Sequence, residues 1–403
     1  MNTFQLLRKK KKLSSDLFYT MMAGIVVAAV LQIVVYPVIA KYYGVSAVGD
    51  ILFFMGFIYI IPQAVGTSIL NTRLILRKTI DATNADYWPI MTVCTALSAV
   101  ICFAIGFFNT GNMVFSICFG LFSILQVLKV YGAVEFRLNL DFKGTFTYNL
   151  LGACGYLVGL GVFFLTEKWL LIFVIGDSLS LLYVFIRGSI YRKAEKTENA
   201  SAVPKTALPL LWSSLVRDGV VHFDKVIVRQ IMDAQSVTQY HAISLVAKTM
   251  HFLVAPIRVL LMSYMTQRNW KMTKGVYKKI TLACAGFGVA GYGFSILVAP
   301  LYVYVFYNEL YSQVIQYNLI VNLGLVMGFV ASLHMAVLMS QGETGKLSLI
   351  QTFWGVGFLI ASYASTYYYG LWGIAWTTVI ANGAKLVAAI IASYRAIDKG
   401  GAK

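Results

Sequence analysis

Long apolar runs alternate along this chain with short polar and basic breaks. A run of ~20 apolar residues can cross a bilayer as a helix. Twelve such runs can be read: 17–40, 46–69, 90–108, 113–128, 147–165, 169–186, 208–230, 240–264, 280–305, 312–339, 348–367 and 372–394. Inside lipid every backbone N–H and C=O needs a partner within its own segment, so the runs are predicted as helices. The run at 17–40 follows Arg8 to Lys12 and is too long for the apolar core of a signal peptide, so it is read as a retained first helix. The fold class expected is an all-α polytopic membrane protein.

Composition agrees. Of the 403 residues, 59% are hydrophobic and only 12% charged, which no ordinary soluble domain shows. The net charge of +17 would suggest nucleic acid in a soluble chain. Here the loops explain it. Alternate loops hold Arg8 to Lys12; Arg73, Arg77 and Lys78; Lys129, Arg137 and Lys143; Arg187 to Lys205; Arg268 to Lys279; Lys346; and Arg395 to Lys403. Those loops carry most of the 33 Lys and Arg residues, whereas the opposite side holds Lys41, Lys168 and Arg229. The positive-inside rule then puts both termini in the cytoplasm and makes the lipid bilayer, not nucleic acid, the partner.

The longest hydrophilic stretch divides the chain near its middle. Residues 191–206 contain Arg192-Lys-Ala-Glu-Lys-Thr-Glu-Asn199 and are read as a flexible cytoplasmic linker between a six-span bundle over 1–190 and another over 207–403. The halves correspond loosely. The first span ends at Lys41 and the seventh at Arg229. The next helix carries an interior proline in each, Pro62 and Pro256, and these are the candidate hinges. An even number of spans per half makes the repeats parallel, related by a pseudo-two-fold axis along the membrane normal.

Charges inside the spans carry the functional signal, because each costs ~2.5–3.5 kcal/mol at the centre of a bilayer helix. At about 100° per residue, Asp218, His222, Lys225 and Arg229 fall on one helical face about 60° wide. Arg217 and Asp224 form a second polar line. Lys248, His251 and Arg258 follow in the next span, with Lys385, Asp177, Asp50 and Lys41 in others. The cations outnumber the carboxylates, which points to a wet cationic lumen for an anionic cargo. Arg217, Lys225, Lys248, Arg258, Lys385, Lys41 and Arg229 are its candidate lining residues. Lys41, Arg229 and Arg258 lie near span ends, where they can instead snorkel to the interface. Asp50, Asp177, Asp218, Asp224, His222 and His251 are candidates for ion coupling or gating.

Enzyme signatures are missing from the sequence. There is no G-x-x-x-x-G-K-[ST] nucleotide loop, no metal-ligand spacing and no outer loop large enough for a catalytic domain. The glycines Gly286, Gly288, Gly291 and Gly293 mimic a dinucleotide motif but sit in an apolar run and are read as helix packing. The five cysteines, Cys94, Cys102, Cys118, Cys154 and Cys284, are read as small buried hydrophobes. A transporter without a cofactor or metal is expected. Coupling to protons, sodium ions or the membrane potential stays open.

Four stretches carry a family resemblance: Lys41-Tyr-Tyr-Gly-Val-Ser-Ala-Val-Gly49, Phe136-Arg-Leu-Asn-Leu-Asp-Phe-Lys143, Phe223-Asp-Lys-Val-Ile-Val-Arg229 and Pro256-Ile-Arg258. Together with twelve spans in two halves, they make the chain resemble the Wzx-type oligosaccharide-lipid flippases of the multidrug/oligosaccharidyl-lipid/polysaccharide exporter superfamily. The resemblance implies a V-shaped pair of bundles around a cationic lumen and an undecaprenyl-pyrophosphate-linked glycan as substrate, moved from the cytoplasmic to the outer leaflet. It also implies work beside a polysaccharide polymerase and chain-length machinery in making O-antigen or capsule. Three alternatives are a multidrug-type cation antiporter, which needs an acidic cavity; a lipid II flippase, whose usual extra spans this chain lacks; and a membrane-embedded polymerase or ligase, which needs a large catalytic outer loop.

Overall fold

A computed structural model describes residues 18–77, 80–250, 252, 254, 272–341 and 343–401. Among these the chain is all-helical, with no strand, and it is a multi-pass membrane protein. The helices are α1 (Phe18–Tyr43), α2 (Val45–Leu76), α3 (Asn84–Thr110), α4 (Met113–Gly132), α5 (Phe142–Thr166), α6 (Leu170–Arg187), α7 (Ala202–Ile231), α8 (Ala234–Thr249), α9 (Lys274–Phe306), α10 (Asn318–Ser340), α11 (344–369) and α12 (371–401). Each predicted span has a helix over its described residues. His251, Pro256 and Arg258 lie outside the described residues, so α8 is followed no further than Thr249 apart from helical Phe252 and Val254.

Local chemistry sets many of the ends. Side-chain oxygens of Asn112, Asp141, Asp233 and Thr273 accept from backbone N–H groups that the first turns of α4, α5, α8 and α9 leave without intrahelical partners. A capping box links Thr83 and Asp86 at the start of α3. Only Gly370 separates α11 from α12. Its φ of 56° and ψ of −137° lie in a region that is essentially reserved for glycine. Within α1, a π-helical turn at Val30–Val35 directly precedes Tyr36 and Pro37.

The chain forms two compact units. One comprises the described residues of Met1–Val38 together with Ile51–Phe223, and the other comprises Ile39–Asp50 with Asp224–Lys403. The division therefore falls inside α7 and not at the stretch 191–206. Near the start of α7, Val203 packs in an apolar cluster with Ile69, Tyr131 and Phe136 of the first unit. In the second unit, a Cβ added at Gly49 would overlap the Ala234 carbonyl, and Thr238 donates to the Val45 carbonyl at 2.7 Å. These contacts attach the start of α2 to α8.

Residues 189–197 are also not a loose linker. Asp86 Oδ1 accepts from the Thr197 backbone N–H at 2.8 Å and Oδ2 from its hydroxyl at 2.9 Å. Thr83 donates to the Glu195 carbonyl, and Asn84 donates to the carbonyls of Ser189 and Arg192. Glu135 accepts from the N–H groups of Ser189 and Ile190. Tyr191 sits among Trp88, Tyr131 and Phe185 and donates to the Leu128 carbonyl. Burial pushes the Tyr191 hydroxyl well above the ordinary tyrosine range. A hydrophilic composition permits a flexible linker, but specific hydrogen bonds turn this one into a strap.

Small residues let helices approach. In the first unit, Gly155 and Gly159 of α5 face the backbone of Gly176 and Ile172 on α6, with no room for a Cβ. In α9 only part of the glycine stretch packs. Gly288 meets Val330 and Gly291 meets Met250, whereas Gly286 and Gly293 face open space. Cys94, Cys102 and Cys284 are buried as expected, but Cys118 and Cys154 are exposed. An apolar run in lipid has two apolar faces, so apolarity alone does not select the buried one.

Candidate functional site

The second unit holds the densest charge. Asp224 and Lys225 of α7 are each less than a tenth exposed. The Asp224 carboxylate accepts from the Lys225 backbone N–H at 2.9 Å through Oδ1 and from Lys248 Nζ of α8 at 2.6 Å through Oδ2. Lys248 Nζ also lies 5.4 Å from the centroid of the Tyr240 ring. The Tyr240 hydroxyl is 3.4 Å from that of Thr378 on α12. On α12, Lys385 places its ammonium 3.5 Å from the centroid of Trp354 on α11, a close cation–π contact. Ala247 and Leu386, next in sequence to Lys248 and Lys385, pack in one apolar cluster. Arg229 pairs with Asp50 at 2.7 Å, both well exposed near helix ends. Lys41 is exposed at the end of α1, with Nζ 5.8 Å from the Tyr42 ring centroid.

The first unit holds a buried polar group that sequence reasoning missed. The loop pattern counts Lys129 as cytoplasmic, although the short fourth run can extend past it. Lys129 lies within α4, where its Nζ donates to Asp177 Oδ1 of α6 at 2.7 Å and to the Tyr156 hydroxyl of α5 at 3.0 Å. Tyr156 in turn donates to Asp177 at 2.6 Å, and Asp177 is 2% exposed. One turn earlier on α4, buried Gln126 donates to Gln63 of α2. That spacing is the signal that was available: Gln126 and Lys129 are three apart in a helical run, so they share a face. Pro62, one residue before Gln63, lies inside α2, and Pro89, Pro209 and Pro300 are likewise internal to helices, so an interior proline does not single out α2.

Two further predicted residues are elsewhere. Arg217 is half-exposed and makes a bidentate contact to its own neighbour Asp218, with Nε at 2.8 Å and Nη2 at 3.0 Å. The His222 ring lies 5.2 Å from that of Tyr59. The helical face read from the sequence is thus divided among contacts. Asp218 turns to Arg217, His222 meets Tyr59, and Arg229 meets Asp50.

One regularity covers all four carboxylates predicted for ion coupling. Asp50, Asp177, Asp218 and Asp224 each hold a basic side chain of this same chain, namely Arg229, Lys129, Arg217 and Lys248. Groups of His, Cys, Asp and Glu able to hold a metal ion do not occur among the described residues.

No family model matches the chain, and no curated protein matches it. Solved structures do. The chain is similar to a multidrug resistance MATE family transporter of the MOP superfamily in an inward-facing conformation, with a TM-score of 0.64, 16% identity and 95% of both chains covered. It is similar to a MOP superfamily transporter from Pyrococcus furiosus whose binding pocket is described as having reverse polarity, with a TM-score of 0.64, 16% identity, and 95% of this chain and 94% of that one covered. It is similar to the lipid II flippase MurJ in an inward closed conformation, with a TM-score of 0.62, 13% identity, and 94% of this chain and 86% of that one covered. The fold is therefore that of the MOP-superfamily transporters.

Proposed function

We propose that this protein is a flippase that moves polyprenyl-pyrophosphate-linked oligosaccharide units from the cytoplasmic to the outer leaflet of a bacterial cytoplasmic membrane, for surface polysaccharide of the O-antigen or capsule type. The observation that carries the reading is the cationic excess of the second unit. Buried Lys225 and half-buried Lys248 and Lys385 add to Lys41 and Arg229, against the carboxylates of Asp224 and Asp50. Buried ammonium groups can take the place of water around a pyrophosphate, while the polyprenyl tail stays in lipid. Both termini are placed in the cytoplasm by the loop charges.

The drive in this reading is the membrane potential. Each of the four carboxylates read as candidates for a coupling cation already holds a lysine or arginine. A potential supplies ~2.3 kcal/mol per elementary charge per 100 mV, and it favours outward movement of an anionic head. A multidrug cation antiporter would need the opposite polarity inside. Lipid II transport is the second reading, favoured by the similarity to MurJ and by the same pyrophosphate chemistry.

The test is reconstitution in liposomes with a fluorescent lipid-linked oligosaccharide, followed by quenching from the outer side. Wild-type protein is expected to move the lipid between leaflets, and Lys225→Glu with Lys248→Glu to abolish movement. Unchanged movement in that double variant overturns the reading. Movement of lipid II in preference to other glycans selects the second reading.

A further inference from the structure

An apolar groove runs along the second unit between α9, α10 and α12. It consists of two cavities, about 530 Å³ and about 240 Å³, that share Thr281, Ala285 and Ile390 and so form one path. One end is closed by Lys274, Lys278 and Tyr394, with Lys274 Nζ 5.2 Å from the Tyr394 ring centroid. The other end reaches Tyr292 and Leu323. Between them the lining includes Leu282, Val289 and Leu386, and the first two of these are about three-quarters exposed.

Charge and length select the occupant. Exposed cations stand only at one end of an otherwise apolar path, which is the complement of an amphiphile with an anionic head and a hydrocarbon chain. Along α9 the lining extends from Lys274 to Tyr292, about 27 Å at the helical rise. One leaflet offers roughly 15 Å of hydrocarbon, half of the core. The acyl chains of a phospholipid would fill only the half nearest the lysines. A long single chain fills both cavities.

We infer that this groove binds the polyprenyl chain of an isoprenoid phosphate lipid, with the phosphate at Lys274 and Lys278. The inference rests on the flippase reading for the identity of the lipid, but the site is separate from Lys225, Lys248 and Lys385.

The full-length protein in phosphatidylcholine nanodiscs is incubated with a photoactivatable polyprenyl phosphate, irradiated and mapped by mass spectrometry. Label is expected on peptides covering 281–292 and 386–390. Lys274→Glu with Lys278→Glu is expected to lower it roughly tenfold or more, as loss and reversal of two surface cations implies. Val289→Trp, which fills the exposed side of the groove, is expected to remove it while elution profile and melting temperature stay wild-type. Unlabelled long-chain polyprenyl phosphate should compete, and phosphatidylglycerol should not. Label elsewhere, label unaffected by Val289→Trp, or equal competition by phosphatidylglycerol each overturns the site. Lipid flipping without groove label leaves the flippase reading standing alone; groove label without flipping leaves only the site.

Discussion

Lys248 of α8 holds the Asp224 carboxylate of α7 at 2.6 Å, and Asp224 is itself buried. On the flippase reading proposed above, the pair is a structural bond and a competitor for cargo at once. A phosphate that enters this unit can bind Lys248 fully only by displacing Asp224. Asp224→Asn removes one charge and leaves the lysine facing a weaker acceptor. The loss expected is about 3 kcal/mol, the lower end for breaking a buried pair, because Lys248 keeps some exposure. Asp224→Leu with Lys248→Met should restore most of it. Thermal melting in detergent reads both, and a double variant no better than the single one contradicts the pairing.

Asp177 accepts from both Lys129 and Tyr156, so its two bonds can be separated. Tyr156→Phe is expected to cost about 1.5–3 kcal/mol, the range for a hydrogen bond to a charged group. Lys129→Met should cost more, since it leaves a carboxylate at 2% exposure without its cation. Equal effects from the two variants would mean that Lys129 is not the main partner.

Lys385 rests on the face of Trp354 at 3.5 Å. Trp354→Leu keeps the volume apolar but removes the ring's negative face. A loss of up to about 2 kcal/mol is expected, as for a desolvated cation–π contact. Lys385→Arg should retain both stability and transport, because arginine stacks on aromatic rings at least as well. Wild-type melting for Trp354→Leu would remove this account of the lysine's position.

The far end of the strap over 189–197 is held by Asp86, which accepts twice from Thr197. Asp86→Ala should release it while the spans stay folded. Limited trypsin digestion at Lys193 and Lys196 is the readout, with cleavage expected to quicken several-fold or more as the ~1–3 kcal/mol of the lost contacts weights the opening. An unchanged cleavage rate shows that the strap is held elsewhere.

Gly370 is the joint between α11 and α12, at φ 56° and ψ −137°. Alanine there is strained by about 1–3 kcal/mol whatever space is available. A matching fall in melting temperature is expected, whereas Gly357→Ala, with open space around the new methyl, should be neutral or stabilising. Two neutral variants would rule out a strained joint.

The sequence by itself marked the apolar runs that become helices and the loops that carry the basic residues. It could do so because lipid imposes a local rule: a segment must be long and apolar enough, and must satisfy its own backbone. It also marked Lys225, Lys248 and Lys385 as out of place. Tertiary structure decided the partners. Lys129 reads as a loop residue until α6 brings Asp177 against it. Asp218 and His222 share a helical face with Lys225 yet make contact with different groups. The hydrophilic stretch 191–206 reads as a boundary, but the compact units divide inside α7. Periodicity tells which way a side chain points from its own helix. Which carboxylate or ring stands opposite depends on residues far along the chain, and no local pattern encodes that.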